Sequence, residues 1–290
     1  MDHGLAARLE ERLGARVSAA RGMGGQHGVG HFWLQLGDGR TAFVKVGRPS
    51  GGDGAGFAAE ASSLRWLAAA GAAAVPGVLG VAEDFLAIDW IEPGTTGSRA
   101  ASSLGENLAR LHAAGAQAFG APWPGVIAGL PLPNEPPAPG CGWAEWYATA
   151  RVLPYLRLAR DRGALTAQEA RLAEAAAGHA PQVAGPAEPP ARIHGDLWSG
   201  NVLWSGGRGW LIDPAAHGGH RETDLAMLAL FGTPGLDEIM AGYQEVAPLV
   251  DGWRARVPLH QLHPLLVHCC LFGRSYAASA LAAARAVLAL

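Results

Sequence analysis

Residues 193–202, Ile-His-Gly-Asp-Leu-Trp-Ser-Gly-Asn-Val, and 210–214, Trp-Leu-Ile-Asp-Pro, constrain this 290-residue chain more than any other stretch. Asp196, Asn201 and Asp213 stand at fixed spacing among short apolar runs. Such runs bounded by turn residues read as strands, so the chain must fold back between Asn201 and Asp213. The two side chains then lie beside each other across a hairpin. An ordinary buried turn also uses Asp and Asn, to cap backbone amides. It leaves unexplained why four polar residues, His194 included, keep this register.

These residue types suit one kind of chemistry. A carboxylate within hydrogen-bond reach of an alcohol orients it and accepts its proton, and Mg2+ prefers hard oxygen ligands with few protein carboxylates. The pattern H-x-D-L-x-x-x-N, with a further Asp 12 residues beyond the Asn, has the spacing of a kinase catalytic loop. On that reading Asp196 is the proton acceptor, and Asn201 and Asp213 hold Mg2+ on the phosphates of ATP. His194 is expected to pack and hydrogen-bond within the loop rather than act as a base.

Composition singles out a second position. Of 22 basic residues only Lys45 is lysine, so an Arg-biased chain retains Lys at one place. It lies in Ala42-Phe43-Val44-Lys45-Val46, upstream of a helix carrying Glu60, an order similar to the kinase strand lysine and its helix glutamate. A compact ammonium fits a slot between a carboxylate and two phosphates that a planar guanidinium does not. Glu10 and Glu83 remain alternatives to Glu60 by spacing alone. The Gly-rich stretch 21–28, with Gly24 and Gly25, precedes Lys45 and could cradle phosphates through backbone amides. His27 stands where a third Gly would complete the usual pattern, and a plain hairpin loop fits equally.

Around these positions the chain divides in character. Residues 1–91 read as a small antiparallel sheet with one inserted helix. They hold a first helix from Asp2 to Gly14, strands at 16–20, 29–36, 41–46, 78–82 and 85–90, and a helix at 57–70. Residues 47–56 read as a Gly-rich loop, and 91–94 as the break between lobes. Residues 92–290 are mostly helical, with helices at 104–112, 143–161 and 166–178, the last opened by a Thr166–Glu169 capping box. A Pro-rich surface loop is expected at 121–139, short strands over 192–213, and helix from there to Leu290. The fold class is α+β, a β-rich N-lobe of 1–91 joined to a helical C-lobe of 92–290.

Net charge −3 offers no basic footprint for nucleic acid or anionic membrane. Three Cys, two of them adjacent, make no disulfide framework, and a reducing cytoplasmic setting follows. The longest uncharged span, 113–134, is broken by four prolines, which argues against a membrane helix. The spacing of His260, His263, His268, Cys269 and Cys270 matches no zinc pattern.

The residues together resemble the fructosamine kinase family (ketosamine-3-kinases), relatives of the aminoglycoside phosphotransferases with a protein-kinase-like fold. The likeness rests on H-G-D-L-W-S-G-N at 194–201, I-D-P-A at 212–215 and G-H-R-E-T-D-L-A-M-L-A-L-F-G at 219–232. Weaker echoes lie at 129–134, 143–158 and 272–276. The resemblance implies that Asp89, Trp90 and Ile91 form a hinge meeting adenine. It also implies that Asp224 braces the catalytic loop, and that Trp198 walls an acceptor pocket to which His217 and His220 contribute. Some family members carry a Cys in the nucleotide loop that can link two chains; this loop has none, and a monomer is favoured. His217 and Gly218 stand where aromatic residues are often seen. The implied activity is ATP- and Mg2+-dependent phosphorylation of a sugar hydroxyl on a ketosamine such as fructosamine or ribulosamine, with a possible deglycation role. An aminoglycoside or amino-alcohol phosphotransferase, or a catalytically silent nucleotide-binding scaffold, are the alternatives.

Overall fold

Alternation of period two in residues 29–46 and 85–89 gives each strand one side chain up and the next down, and two helices cover the two faces. The structure is a computed structural model in which residues 3–26, 28–47 and 55–290 are described. Helix α1 (His3–Leu13) is followed by β1 (Val17–Gln26), β2 (Val29–Leu36) and β3 (Thr41–Val46), then α2 (Ala55–Ala68), β4 (Val78–Val81) and β5 (Phe85–Asp89). The five strands form one antiparallel sheet in the order β1-β2-β3-β5-β4. Leu34, Leu36, Ala42, Val44, Phe85 and Ala87 pack with Leu5, Leu9 and Leu13 of α1. Leu86 and Ile88 point the other way, against Phe57, Ala61 and Leu64 of α2. Lys45, one residue out of phase with Val44, therefore shares the α2 face.

Two expectations shift here. β1 runs ten residues, through Gly24 and Gly25, so most of the Gly-rich stretch is strand paired to β2 rather than loop. His27 and residues 48–54 of the expected Gly-rich loop lie outside the described residues, as does the Asp2 cap.

The remaining chain forms α3 (Ser98–Ala113), the hairpin β6 (Gly125–Ile127) and β7 (Leu130–Leu132), α4 (Trp143–Tyr147), α5 (Leu153–Asp161) and α6 (Ala167–Val183). The Pro-rich segment is thus no plain surface loop, because Ile127, Leu130 and Leu132 are buried in the helical core. α4 and α5 form one helical run across a π-turn, Ala148–Val152. Pro154 has no N–H to give to Ala150, so the register slips there. Thr166 caps α6: Glu169 N donates to Thr166 Oγ1 at 3.2 Å and Thr166 N to Glu169 Oε2 at 2.7 Å.

Strands β8 (Ala191–Ile193), β9 (Val202–Ser205) and β10 (Arg208–Leu211) follow, then β11 (His217–Gly219), α7 (Glu222–Leu230), α8 (Leu236–Val246), α9 (Trp253–Phe272) and α10 (Ala277–Leu288). β11 pairs with β8, which corrects the expectation of unbroken helix after 213. The stretch Trp253–Leu288 is long and apolar enough to cross a membrane by length and composition. In the fold, α9 and α10 pack with α4, α5 and α6 into one core, and α9 buries Arg256, His260 and His263. A second core joins α3 and α8 to β9, β10 and the end of α2.

Candidate active site

The β8–β9 connection is too polar to bury unless its amides are satisfied, and Asp224 of α7 meets that need. Its carboxylate accepts from the amides of His194 at 2.7 Å and Gly195 at 3.0 Å and from His112 Nε2 at 3.1 Å. Burial opposes its ionisation, but the His112 contact and the His194 amide outweigh it and hold the pKa low. Asp224 is therefore wholly buried and structural, not a surface helix residue.

His194 completes the frame. The Asp196 amide donates to its Nδ1 at 3.3 Å, so Nε2 carries the proton and donates to Ile212 O at 3.0 Å. The ring ties the Asp196 loop to the residue before Asp213, and burial pushes its pKa down. The β9–β10 hairpin closes the same gap through Ile212 N to Asn201 O, 3.1 Å. Asp213 then sits at φ +54°, a left-handed backbone that a non-glycine residue rarely adopts; such strain concentrates at functional sites.

Within this frame Asn201 Nδ2 donates to Asp196 O at 2.8 Å and to Asp196 Oδ2 at 3.1 Å. Asn201 Oδ1 is left as an oxygen donor. Burial, then the charge of Asp213, pushes the Asp196 pKa up to about 7. Across the cleft Lys45 Nζ lies 2.9 Å from both Glu60 oxygens and 2.6 Å from Asp213 Oδ1. Burial works against the ammonium, yet the two carboxylates prevail and raise its pKa above the ordinary lysine value. Burial and the Asp213 charge move Glu60 up to about 7, while Lys45 holds Asp213 low despite burial. Residues 168 apart in sequence thus meet in one cluster, and Glu60 rather than Glu10 or Glu83 is the helix carboxylate paired with Lys45.

An open cleft of about 660 Å³ joins these groups, with Lys45, Glu60, Asp196, Trp198, Asn201 and Asp213 on its walls; that is the size of a small-molecule site. Trp198, 38% exposed, folds back over the loop. A Cβ on Gly200 would come within 2.3 Å of its indole, so glycine is what lets the ring lie there. Gly24, Gly25, Asp89, Trp90 and Ile91 stand outside the cleft walls. Gly25 closes the β1–β2 hairpin, and the Asp89 carboxylate accepts from the Gly77 amide at 2.8 Å. The Trp90 amide donates to Thr41 O at 3.2 Å.

His217 and His220 do not face the cleft, contrary to the acceptor role expected of them. β11 turns His217 inward, and His220, just past the strand, is buried as well. His217 Nδ1 donates to Ala215 O at 2.8 Å and its ring borders a void of about 10 Å³. His220 packs 4.8 Å from the Trp143 ring. What lines the open cleft instead is His31, Asn134, Arg162, His268 and Phe272. They come from four separate elements or loops, His268 and Phe272 one turn apart on α9, and no spacing links the others; only the echoes at 129–134 and 272–276 touched two of them.

Among the described residues one His/Glu group could hold a metal, His220, Glu222 and His260, with ligand atoms within 4.8 Å of one another. Arg256 already forks onto Glu222 at 2.6 and 3.0 Å, so a cation occupies that carboxylate.

The match to known proteins agrees with this geometry. The fructosamine kinase family model matches residues 1–289. The chain belongs to the fructosamine kinase family. It is therefore a phosphotransferase acting on an alcohol group, a kinase. It is 35% identical over 227 residues to a probable ketoamine kinase of Escherichia coli K12, covering 75% of this chain and 76% of that protein. It is similar to a Thermobifida fusca protein named as a candidate fructosamine-3-kinase, with a TM-score of 0.95 and 48% identity over all of both chains. An ADP-bound aminoglycoside phosphotransferase, 14% identical with a TM-score of 0.67 over 99% of both chains, shares the fold. This family kinase accordingly has the α+β, protein-kinase-like two-lobe fold.

Proposed function

We propose that this kinase transfers the γ-phosphoryl group of ATP to a sugar hydroxyl of a ketosamine of the fructosamine or ribulosamine type. The observation that carries it is the pairing, in one cleft, of Asp196, bonded to Asn201, with the Lys45–Glu60–Asp213 cluster. The acceptor hydroxyl gives its proton to Asp196, and its oxygen bonds to the γ-phosphorus as the bond to the bridging oxygen of ADP breaks. Lys45 carries its charge to the α- and β-phosphates. Asn201 Oδ1 and the Asp213 carboxylate are the hard oxygens that would hold Mg2+, which neutralises phosphate charge when bound. Asp224 and His194 keep this constellation in place. Gly24 and Gly25 are assigned to the phosphates by their place before Lys45, and Asp89–Ile91 to adenine by the family resemblance alone; these residues stand outside the cleft walls. The lobes divide at 91/92, Lys45 and Glu60 on one side and Asp196, Asn201 and Asp213 on the other. Three free cysteines suit a reducing cytoplasm, and phosphorylated ketosamines would be set up for deglycation.

A coupled ADP-release assay with fructosyl-lysine, ribulosyl-lysine, kanamycin and choline tests the reading. Turnover on either ketosamine is expected. Turnover confined to kanamycin or choline, or ATP binding with no turnover at all, would refute it.

A further inference from the structure

Beside Asp196 the cleft runs out over a group of aromatic rings that the phosphoryl-transfer set does not use. His268 is its centre. Its ring lies 4.9 Å from Phe231, 4.7 Å from Tyr276 and 5.6 Å from Phe272, centroid to centroid. Phe231 in turn meets Trp198 edge-on at 6.3 Å. These rings are not core: Phe272 is 52% exposed, and Trp198 and Phe231 38% each. Three elements supply them, the loop before β9, the end of α7 and the end of α9 with the turn after it. A half-exposed cluster of that size costs solvation, and a single soluble chain seldom leaves one without a use.

The cluster has a polar point as well. His268 Nδ1 lies 2.7 Å from Pro264 O, which can only accept, so Nδ1 carries the proton. Burial lowers the pKa of this half-buried ring, which favours the neutral form, and with Nδ1 protonated the neutral ring offers the Nε2 lone pair. π-faces and a neutral imidazole acceptor together suit an ammonium that donates an N–H while resting on the rings. Trp198, His268 and Phe272 line the same cleft as Asp196. A ketosamine places its protonated secondary amine one carbon from the sugar, on the arm leading away from the reacting hydroxyl. Arg162 is also on the cleft wall, where its guanidinium donates to Cys270 O at 2.8 Å.

We propose that Phe231, His268, Phe272 and Tyr276, continuing from Trp198, form the subsite for the protonated amine of the acceptor. This rests on the ketosamine reading of the same cleft and adds the residues that recognise the amine.

Binding separates the two. Calorimetric affinities are measured for N-ethyl-1-amino-1-deoxyfructose and for its uncharged isostere, 1-O-ethylfructose, with a non-hydrolysable ATP analogue present. The amine is expected to bind about tenfold more tightly than the ether. That preference should vanish in Phe272→Leu and Phe231→Leu, which keep apolar volume without a π-face, and persist in Phe272→Tyr. Both phenylalanines are exposed enough that the Leu variants should fold, and circular dichroism checks it. Equal affinity for amine and ether, binding of neither, or an amine preference that survives both Leu substitutions would overturn the subsite. A wild-type chain that binds the amine through these rings without phosphorylating it upholds the subsite and sinks the ketosamine-phosphorylating reading. Turnover with an unaltered preference in the variants does the reverse.

Discussion

Replacing Asp196 by Asn should impair the enzyme and stabilise the protein, and the pH dependence of that gain tests why. An aspartate ordinarily titrates near 3.8, whereas burial and Asp213 bring this one up to about 7. At 1.36 kcal/mol per pKa unit the difference sets an upper bound of about 4 kcal/mol. Partial exposure to the cleft reduces it to about 2 kcal/mol. The sign follows from linkage: a carboxyl with a raised folded pKa contributes stability that is complete below about pH 4 and lost as pH rises through about 7. Asn cannot ionise and still accepts from Asn201. Urea denaturation of the unliganded chain at pH 5 and pH 8.5 should therefore show the variant's advantage growing by about 1 kcal/mol, since part of the effect is already lost by pH 5. In the same variant kcat should fall by about 10²- to 10⁴-fold with KM for ATP little changed. Parallel pH profiles of stability for wild type and variant would refute the buried-carboxylate account. An active variant would refute the role of Asp196 as base.

Lys45→Arg keeps the charge, but a planar fork cannot reproduce contacts of 2.9 Å to both Glu60 oxygens and 2.6 Å to Asp213. Steady-state kinetics should show kcat/KM for ATP down about 100-fold, and near-native values would leave the lone lysine without special meaning. Asp224→Asn turns an amide N–H toward donors it must accept from, and should cost about 3 kcal/mol in denaturant unfolding. An unchanged midpoint would show that the His194 and Gly195 amides do not depend on its charge.

Local patterns were legible because their physics is local. Strand alternation in 29–46, the Thr166 capping box and the Asn201–Asp213 hairpin each depend on residues within one or two turns of chain. The Pro-rich stretch misled because prolines mark surface loops on average, while here Ile127, Leu130 and Leu132 are drawn into the helical core. His217 misled for a similar reason. It follows Asp213 closely in sequence, but the three-residue strand β11 pairs with β8 and turns it inward, and no local pattern announces so short a strand.

The sequence by itself determined which side chains are available for phosphoryl transfer, and at what spacing: Asp196, Asn201 and Asp213, and a single lysine in a β-strand. Tertiary structure decided which of them meet. It chose Glu60 over two other glutamates for Lys45, and brought Asp213 to the same ammonium across 168 residues. It buried Asp224 under the loop it braces, and gathered Trp198, Phe231 and the α9 pair His268 and Phe272 from three elements at the cleft's mouth. Pairings at such separations are settled by which helix covers which sheet face and by where the chain crosses between lobes. No periodicity within a single element records that.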